Sequence, residues 1–558
     1  MATEPTRAGF ARTDMLGRLE GASFDVLVVG GGITGTGVAL DAATRGWSTA
    51  LVEREDFASG TSSKSSKLVH GGLRYLQQGD VRLVYEALRE RKRLRRNAPH
   101  LVNVLPFMIP ILTKDSVVSR KIARALGSAM WMYDLTGGWR IGRLHRRLRA
   151  KAALRHFPTM DARRLASAYL YYDAEADDAR LCLTVARTAA DNGAVTVNRC
   201  EVVSVSGRTG DHEVRMRDTL TGREFTARAR VVVNASGVWA DDVRALDENV
   251  HPDTIQPAKG VHLTVPWEKV RNDIAVVIPV PRDRRSLFVV PWVPNGDGTY
   301  RYTYVGTTDT AYDGPVDDPQ CTRDDFEYVL AALNASVTTG VTVDDVTGVW
   351  SGLRPLVKST DGGGGGRTAD LSRRHKVSVS GSGVVTVTGG KLTTYREMAQ
   401  DTVDEAEKIL GSSRRCRTRS LPLHGASPRP GGSDRRAAHL HSRYGTDAPQ
   451  LLALISENPA LGAELVPGLP YLAAEAVWAA TAEMAVTLDD ILTRRTRARL
   501  FDRRATRDAA RAVAALVAPV LGWDDAECER QVAMFTDECA REDAAALVTE
   551  AEFIASRR

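Results

Sequence analysis

Phe24-Asp-Val-Leu-Val-Val-Gly-Gly-Gly-Ile-Thr-Gly35 is the stretch whose reading sets the fold. An apolar run ends in glycines at 30, 32 and 35, and a helix-compatible segment follows through Val38, Ala39 and Leu40. An acid, Glu53, then closes Ser48-Thr-Ala-Leu-Val-Glu53. Strand, glycine turn, helix, strand and terminal acid, in that order, form a dinucleotide-binding unit. The turn lets a pyrophosphate approach the helix N-terminus, and the acid accepts a hydrogen bond from a ribose hydroxyl. A glycine-rich loop between ordinary elements would leave Glu53 unexplained.

The segments that follow indicate which dinucleotide. Thr61-Ser-Ser-Lys-Ser-Ser-Lys-Leu-Val-His-Gly-Gly-Leu-Arg-Tyr75 offers hydroxyls and backbone donors to a long anionic ligand. Val231-Val-Val-Asn-Ala-Ser-Gly-Val-Trp239 reads as a buried strand ending in a small-residue turn. Val384-Val-Thr-Val-Thr-Gly-Gly-Lys-Leu-Thr-Thr-Tyr395 closes a further strand on a second glycine pair. A chain that returns to its nucleotide this late has the segment order of glutathione-reductase-type flavoproteins. A nicotinamide enzyme would complete its site within one compact unit, so FAD is the expected cofactor.

The length of 558 residues predicts two or three domains with a substantial core. At 43% hydrophobic and 26% charged residues the composition is that of a soluble globular protein. No apolar run approaches a membrane span, and residues 1–20 lack a signal-peptide core, so they are expected to form a disordered extension. The six cysteines, Cys182, Cys200, Cys321, Cys416, Cys528 and Cys539, include no CxxC pair. That pattern argues against a zinc site or disulfide framework and fits a reducing cytoplasm.

The net charge of +6 is unevenly placed. Basic runs occupy residues 89–96 and 140–151, the second without an acid. Just before the second, Ile122, Ala125, Leu126, Ala129, Met130, Trp131 and Met132 form an apolar patch. Cations beside an apolar, Trp-containing stretch suit a peripheral membrane segment. A solvated helix face or a subunit contact would use the same residues. The basic runs are short and carry no nucleic-acid motif, so no nucleic-acid partner is expected.

The periodicity predicts strand, helix and strand over 21–58, a helix over 81–97 and another over 181–190. Hairpins are expected over 199–232, and a largely antiparallel sheet over 255–310. The expected fold is therefore α/β plus β: a Rossmann FAD-binding domain, an antiparallel-sheet substrate domain and an all-helical C-terminal domain. The FAD parts are placed at 21–100, 170–255 and 345–414, with substrate or membrane-contact parts at 101–169 and 256–344. A linker is expected at 415–435 and the helical domain at 436–558. Within the latter, Leu492-Thr-Arg-Arg-Thr-Arg-Ala-Arg-Leu500 reads as a solvated helix face or an interaction surface.

Four constellations offer a substrate site: His70 with Arg74 and Tyr75, Lys259 with His262, Arg354 between a glycine and a proline, and Lys391 with Thr393. Arginines and lysines shown from glycine turns suit a small anion, and several converging cations favour a doubly charged phosphate over a monocarboxylate.

With these residues in view, the chain resembles the flavin-dependent sn-glycerol-3-phosphate dehydrogenases, the aerobic bacterial type related to the mitochondrial enzyme. The resemblance rests on Gly30-Gly-Gly-Ile-Thr-Gly35, the 61–76 run, Asn234-Ala-Ser-Gly-Val-Trp239, Val305-Gly-Thr-Thr-Asp309, Ser351-Gly-Leu-Arg-Pro355 and Gly389-Gly-Lys-Leu-Thr-Thr-Tyr395. It spans roughly residues 22–410, and the helical tail resembles the family's C-terminal domain. The HGGLRYL and GGKLTTYR stretches are specific to this family; the glycine fingerprint is shared by many flavoproteins. Two departures are Ser236, where the family commonly has Thr, and five consecutive glycines at 362–366.

The resemblance implies oxidation of sn-glycerol 3-phosphate to dihydroxyacetone phosphate, with electrons passed through FAD to membrane ubiquinone or menaquinone. It implies a protein held at the cytoplasmic face of the membrane; the oligomeric state, a homodimer among the options, is left open. Arg74, Arg354 and Lys391 would surround the substrate, joined by Tyr75, Thr393, Arg373 and Lys259. His70 is the first choice of base and His262 the second. Cofactor contacts are expected from Gly30, Gly32, Ile33, Thr34, Gly35, Glu53 and Arg54, then from Thr61, Ser62, Ser65, Ser66, Lys67, Leu68, His70, Gly71 and Gly72. Later contacts are expected from Val202, Ala235, Gly237, Trp239, Thr308, Gly352, Arg354, Gly390, Lys391, Leu392 and Thr393. The same fold would also serve an oxidase returning electrons to O2, or an amine or amino-acid oxidase whose substrate needs one carboxylate clamp. A flavin-bound RNA-binding protein is the reading from another class, and it predicts salt-sensitive binding with no flavin reduction.

Overall fold

The computed structural model describes residues 10–72, 81–113, 127, 130–134, 141–281, 283, 285–358, 375–428 and 434–557. Two sheets organise the first 410 residues. In the first, the strand Ser23–Val29 lies parallel between Thr49–Val52 and Glu224–Asn234. Val195–Val197 and Val385–Thr388 extend it in parallel on either side. Helices Ile33–Thr44, Asp178–Asp191 and Tyr395–Leu410 pack with this sheet. Parallel strands covered on both faces must be nearly continuous in apolar residues, and Val26 to Val29 are all buried. The hairpin Cys200–Arg208 and Asp211–Asp218 adds to Glu224–Asn234, and Asp211–Asp218 alternates strictly between exposed and buried residues, as expected where one face meets water.

The second sheet has ten strands among the described residues and is antiparallel except for one pair, Ala275–Pro279 with Asn103–Leu112. Next to one edge of it, Ile255–Pro266 is paired on one side with Tyr300–Gly306 and on the other with Gly348–Val357. Two expected boundaries move as a result. Gly348–Val357 falls in a segment expected in the FAD domain, yet it pairs along its whole length with Ile255–Pro266. Leu165–Glu175 likewise belongs wholly to this second sheet, against Asn103–Leu112. Strand pairing, which sequence spacing does not report, sets both.

The N-terminal expectation is also corrected. Arg12–Leu19 is a helix that buries Met15, Leu16 and Leu19 against the first sheet's core. Arg12 fixes it by donating to Asp218 and to the carbonyls of Asn198 and Arg199. The expected linker is partly packed too: Thr418 and Leu423 are buried. Past Arg435 the chain is helical up to Glu550–Arg557.

Leu492–Leu500 is neither a solvated face nor an external surface. Its π-helical turn Asp490–Arg495 and the short helix Ala498–Phe501 are buried between the helical domain and the two-sheet body. Arg495 binds Asp56 through two bonds of 2.6 and 2.8 Å, and Arg494 joins the same carboxylate at 2.7 Å. Arg497 donates to Asp178 and to the Ser63 carbonyl, both at 2.6 Å. Arg499 pairs with Glu542. Burial alone would raise the Asp56 pKa, but Arg495, Arg494 and Arg199 hold it well below the usual carboxylate range.

Candidate active site

A cavity of about 340 Å³ runs along the carboxyl ends of Ser23–Val29 and Thr49–Val52, where ligands bind in open α/β sheets. Its walls include Gly30, Gly32, Ile33, Thr34, Glu53, Arg54, Thr61 and Ser62. The remaining wall includes Val202, Ala235, Gly237, Trp239, Gly390, Lys391 and Leu392. Three segments far apart in sequence thus meet at the glycine turn.

The turn is built for close approach. Gly30 has φ +111°, and a Cβ there would lie 2.7 Å from the Ala235 carbonyl oxygen; one on Gly35 would lie 1.9 Å from the Gly30 oxygen. Glu53 accepts from the Gly31 and Glu55 N–H groups at 2.7 and 2.9 Å, and each carboxylate oxygen keeps a lone pair for a ribose hydroxyl. Burial raises the Glu53 pKa. Ser62 Oγ accepts from Ile33 N–H at 2.8 Å, tying the hydroxyl loop to the helix start. Arg54 stacks over Trp239 at 4.7 Å and pairs with Asp317. A glycine cradle, a helix N-terminus and an acid at the strand end fit a dinucleotide.

Other expected cofactor contacts are used elsewhere. Gly35 supports the turn from behind. Ser65 donates to Asp178 at 2.7 Å, Lys67 is buried and paired with the same Asp178, and Leu68 is buried in the second sheet's core. Burial, with Arg497 nearby, lowers the Lys67 pKa to about 8 although Asp178 opposes the shift. Thr308 caps the Val261 N–H, and Gly352 packs against Lys64. Gly71 donates its N–H to Asp173, and Gly72 takes a left-handed turn.

On the substrate side, His70 N–H donates to Thr393 Oγ1 at 3.2 Å, so two motifs more than three hundred residues apart meet beside Lys391. The His70 ring stands edge-on to Phe288, with 6.4 Å between ring centres. Arg354 is anchored by Asp309, Thr307 Oγ1 and the carbonyls of Thr308 and Lys259, at 3.0 to 3.4 Å. Its side chain remains 23% exposed, enough to present an edge to a ligand.

His262 is only 2% exposed. Its ring stacks on Trp350 at 4.7 Å and its Nε2 shares a 2.8 Å hydrogen bond with Ser66 Oγ. Burial, reinforced by Lys67 and Arg354, pushes its pKa well below the usual value, so it is neutral at physiological pH. Lys259 is not brought into this group: it is buried, paired with Asp325 at 2.6 Å and with Glu550 of the last helix. A lysine with two carboxylates is a structural tie. Arg74, Tyr75 and Arg373 lie outside the described residues. Sequence reasoning missed Asp309, which orients Arg354, and the aromatic wall of Trp292, Tyr304 and Trp350 around His262. Asp309 could have been found, since it ends the Val305-Gly-Thr-Thr-Asp309 motif.

The fold and cradle define a flavin-linked oxidoreductase, and residues 25–396 match the FAD-dependent oxidoreductase family. Residues 416–528 match the C-terminal domain of alpha-glycerophosphate oxidase. The chain is 40% identical over 535 residues to glycerol-3-phosphate dehydrogenase 2 of Mycobacterium bovis, covering 93% of this chain and 88% of the relative. It is 38% identical to the mitochondrial glycerol-3-phosphate dehydrogenase of Bos taurus, over 92% of this chain and 72% of that one. The solved glycerol-3-phosphate dehydrogenase from Bacillus halodurans, complexed with FAD, superposes with a TM-score of 0.75 at 29% identity, covering 96% of this chain and 99% of that one. The chain belongs to the FAD-dependent glycerol-3-phosphate dehydrogenase family, and its cofactor is FAD.

Proposed function

We propose that the protein oxidises sn-glycerol 3-phosphate to dihydroxyacetone phosphate and passes the electrons to membrane quinone. The observation that carries the substrate reading is the junction of His70 with the Lys391–Thr393 turn, whose Lys391 and Leu392 line the FAD cavity. Relatives named for this activity cover nearly the whole chain.

The bound flavin supplies the hydride acceptor. Arg354 and Lys391 bind the phosphate and fix the orientation of C2 through charge-assisted bonds. His70 takes the C2 hydroxyl proton. His262, neutral and enclosed, is second choice; its geometry suits shaping the wall through Ser66 and Trp350. Flanking cations stabilise alkoxide character as the proton leaves. Anaerobic addition of sn-glycerol 3-phosphate should bleach the flavin band near roughly 450 nm; a band that stays oxidised removes this substrate. Replacing His70→Asn should slow that bleaching by about 10²- to 10⁴-fold, while a comparable loss only in His262→Asn would exchange the two roles.

Membrane contact is supported by exposed Trp131, Met132 and Leu144 beside the strand Arg146–Arg149. Ile122, Ala125, Leu126 and Ala129 of the same patch lie outside the described residues. Among the described residues no helix is long and apolar enough to cross a membrane. Binding to anionic vesicles that weakens with salt and with Trp131→Ser tests the contact. Reduction of a quinone analogue faster than of O2 separates dehydrogenase from oxidase.

A further inference from the structure

The helix Glu550–Arg557 lies beyond the residues matched to either family, yet it packs behind the wall of the FAD cavity. Its start is specified locally: Glu552, three residues after Thr549, accepts from the Thr549 N–H at 2.7 Å and from its Oγ1 at 2.8 Å. The first residue, Glu550, is tied to buried Lys259 and accepts from Thr322 Oγ1 at 2.8 Å, while its N–H donates to Asp324 at 3.0 Å. Phe553 is buried one turn on. Ile554 then joins a small apolar cluster with Val238, Tyr312, Leu353, Val316 and Trp239. Gly314 permits the approach, since a Cβ there would lie 3.0 Å from Ile554 Cγ1.

Trp239 belongs to this cluster and to the FAD cavity at once, and Arg54 stacks over it. Arg54 follows Glu53, the ribose acid, so this wall flanks the adenosine end of the cofactor. The segment Tyr312–Asp318 is seated between the wall and the helix. Tyr312 N–H donates to the Pro257 carbonyl at 3.0 Å, and its hydroxyl donates to the Pro315 carbonyl at 2.9 Å. Asp317 accepts from Trp239 Nε1 at 2.8 Å and pairs with Arg54, and Asp318 pairs with Arg557 at 3.0 Å. The Asp317 side chain is 65% exposed, so its contacts are weak by themselves. What seats the segment is the apolar cluster that Ile554 completes.

We propose that the helix Glu550–Arg557 is a cofactor-retaining latch. Through Ile554 and Arg557 it keeps Tyr312–Asp318 against Arg54 and Trp239, and so sets the rate at which FAD leaves. Asp317 restrains both side chains of the wall, and restraint of this kind acts mainly on departure of a ligand rather than on its arrival.

The test is release of FAD from the FAD-loaded, full-length protein, followed as the rise in flavin fluorescence after dilution into flavin-free buffer. Ile554→Asp should speed release by about tenfold, and Ile554→Leu should keep it within about twofold of the wild type. Asp317→Ala, a change at an exposed position, should speed it by about threefold and Arg557→Ala by about twofold. Asp317→Ala added to Ile554→Asp should contribute less than its own factor, because both act through one segment. Release at the wild-type rate in Ile554→Asp, or factors that multiply in the double variant, would overturn the latch. So would acceleration that merely follows a lowered guanidinium midpoint for unfolding of the flavin-free forms. These readouts need no substrate, so their outcome is separate from that of the substrate reading.

Discussion

The glycine turn at 30–35 and the arginine run at 494–499 are the two most distinctive short patterns in the chain, and they teach opposite lessons. The turn works through its own neighbours: strand, helix start and acid lie within a single βαβ unit, and its chemistry is visible in its spacing. The run works through partners up to 439 positions away, such as Asp56, and its charges face inward. A basic run on an otherwise polar helix looks solvated until the fold supplies buried acids. One pattern makes a site; the other fastens a domain.

The comparison breaks most visibly at Asp56. Removing it leaves Arg494 and Arg495 buried against a neutral side chain, a situation that costs about 3–5 kcal/mol. Asp56→Ala should therefore lower the stability of the holoprotein by about that amount in chemical denaturation. The helical domain should lose its tryptophan and proteolytic protection before the flavin is released. A variant that unfolds in one step with an unchanged midpoint would mean that the run is decorative.

The turn should fail differently. In Gly35→Val the added carbons collide with the Gly30 carbonyl, at 1.9 Å for the first of them, and overpacking of this kind costs about 1–3 kcal/mol or more. The expected loss falls on cofactor retention, with the flavin-to-protein absorbance ratio down by about tenfold and the helical domain still folded. Equal loss of flavin and helical content would erase the distinction.

The difference between these regions also explains what the sequence revealed. The first sheet, the helix over 81–97 and the hairpins after 199 follow from local periodicity and turns, and the structure has them. The sequence points Lys67 and Lys259 toward ligands because a lysine within a motif reads the same whether it faces an anion or an acid brought by the fold. Asp178 lies 111 positions from Lys67, and Glu550 lies 291 from Lys259. The helix Arg12–Leu19 was missed because a short apolar triplet, Met15, Leu16 and Leu19, is a weak signal until the first sheet is there to cover it. Pairing of Gly348–Val357 with Ile255–Pro266 is likewise a tertiary fact.

His424 gives the comparison a titratable form. It bridges Asp191 of the two-sheet body at 2.7 Å and Asp447 of the helical domain at 2.9 Å. Burial alone would lower its pKa; hydrogen bonds to the two carboxylates outweigh it and raise the value to about 9. A raised folded-state pKa contributes stability that is fully present below the unfolded value of about 6.5 and is lost as pH rises through about 9. A shift of this size corresponds to about 3 kcal/mol at most; partial solvent access reduces it to about 2. Wild-type stability should therefore fall between pH 6.5 and 9 relative to His424→Gln, whose profile should be flatter across that window. The arginine run, whose guanidiniums stay charged, should contribute equally at both ends. If His424→Gln and the wild type decline in parallel, the histidine bridge contributes nothing, and the domain contact rests on the arginines alone.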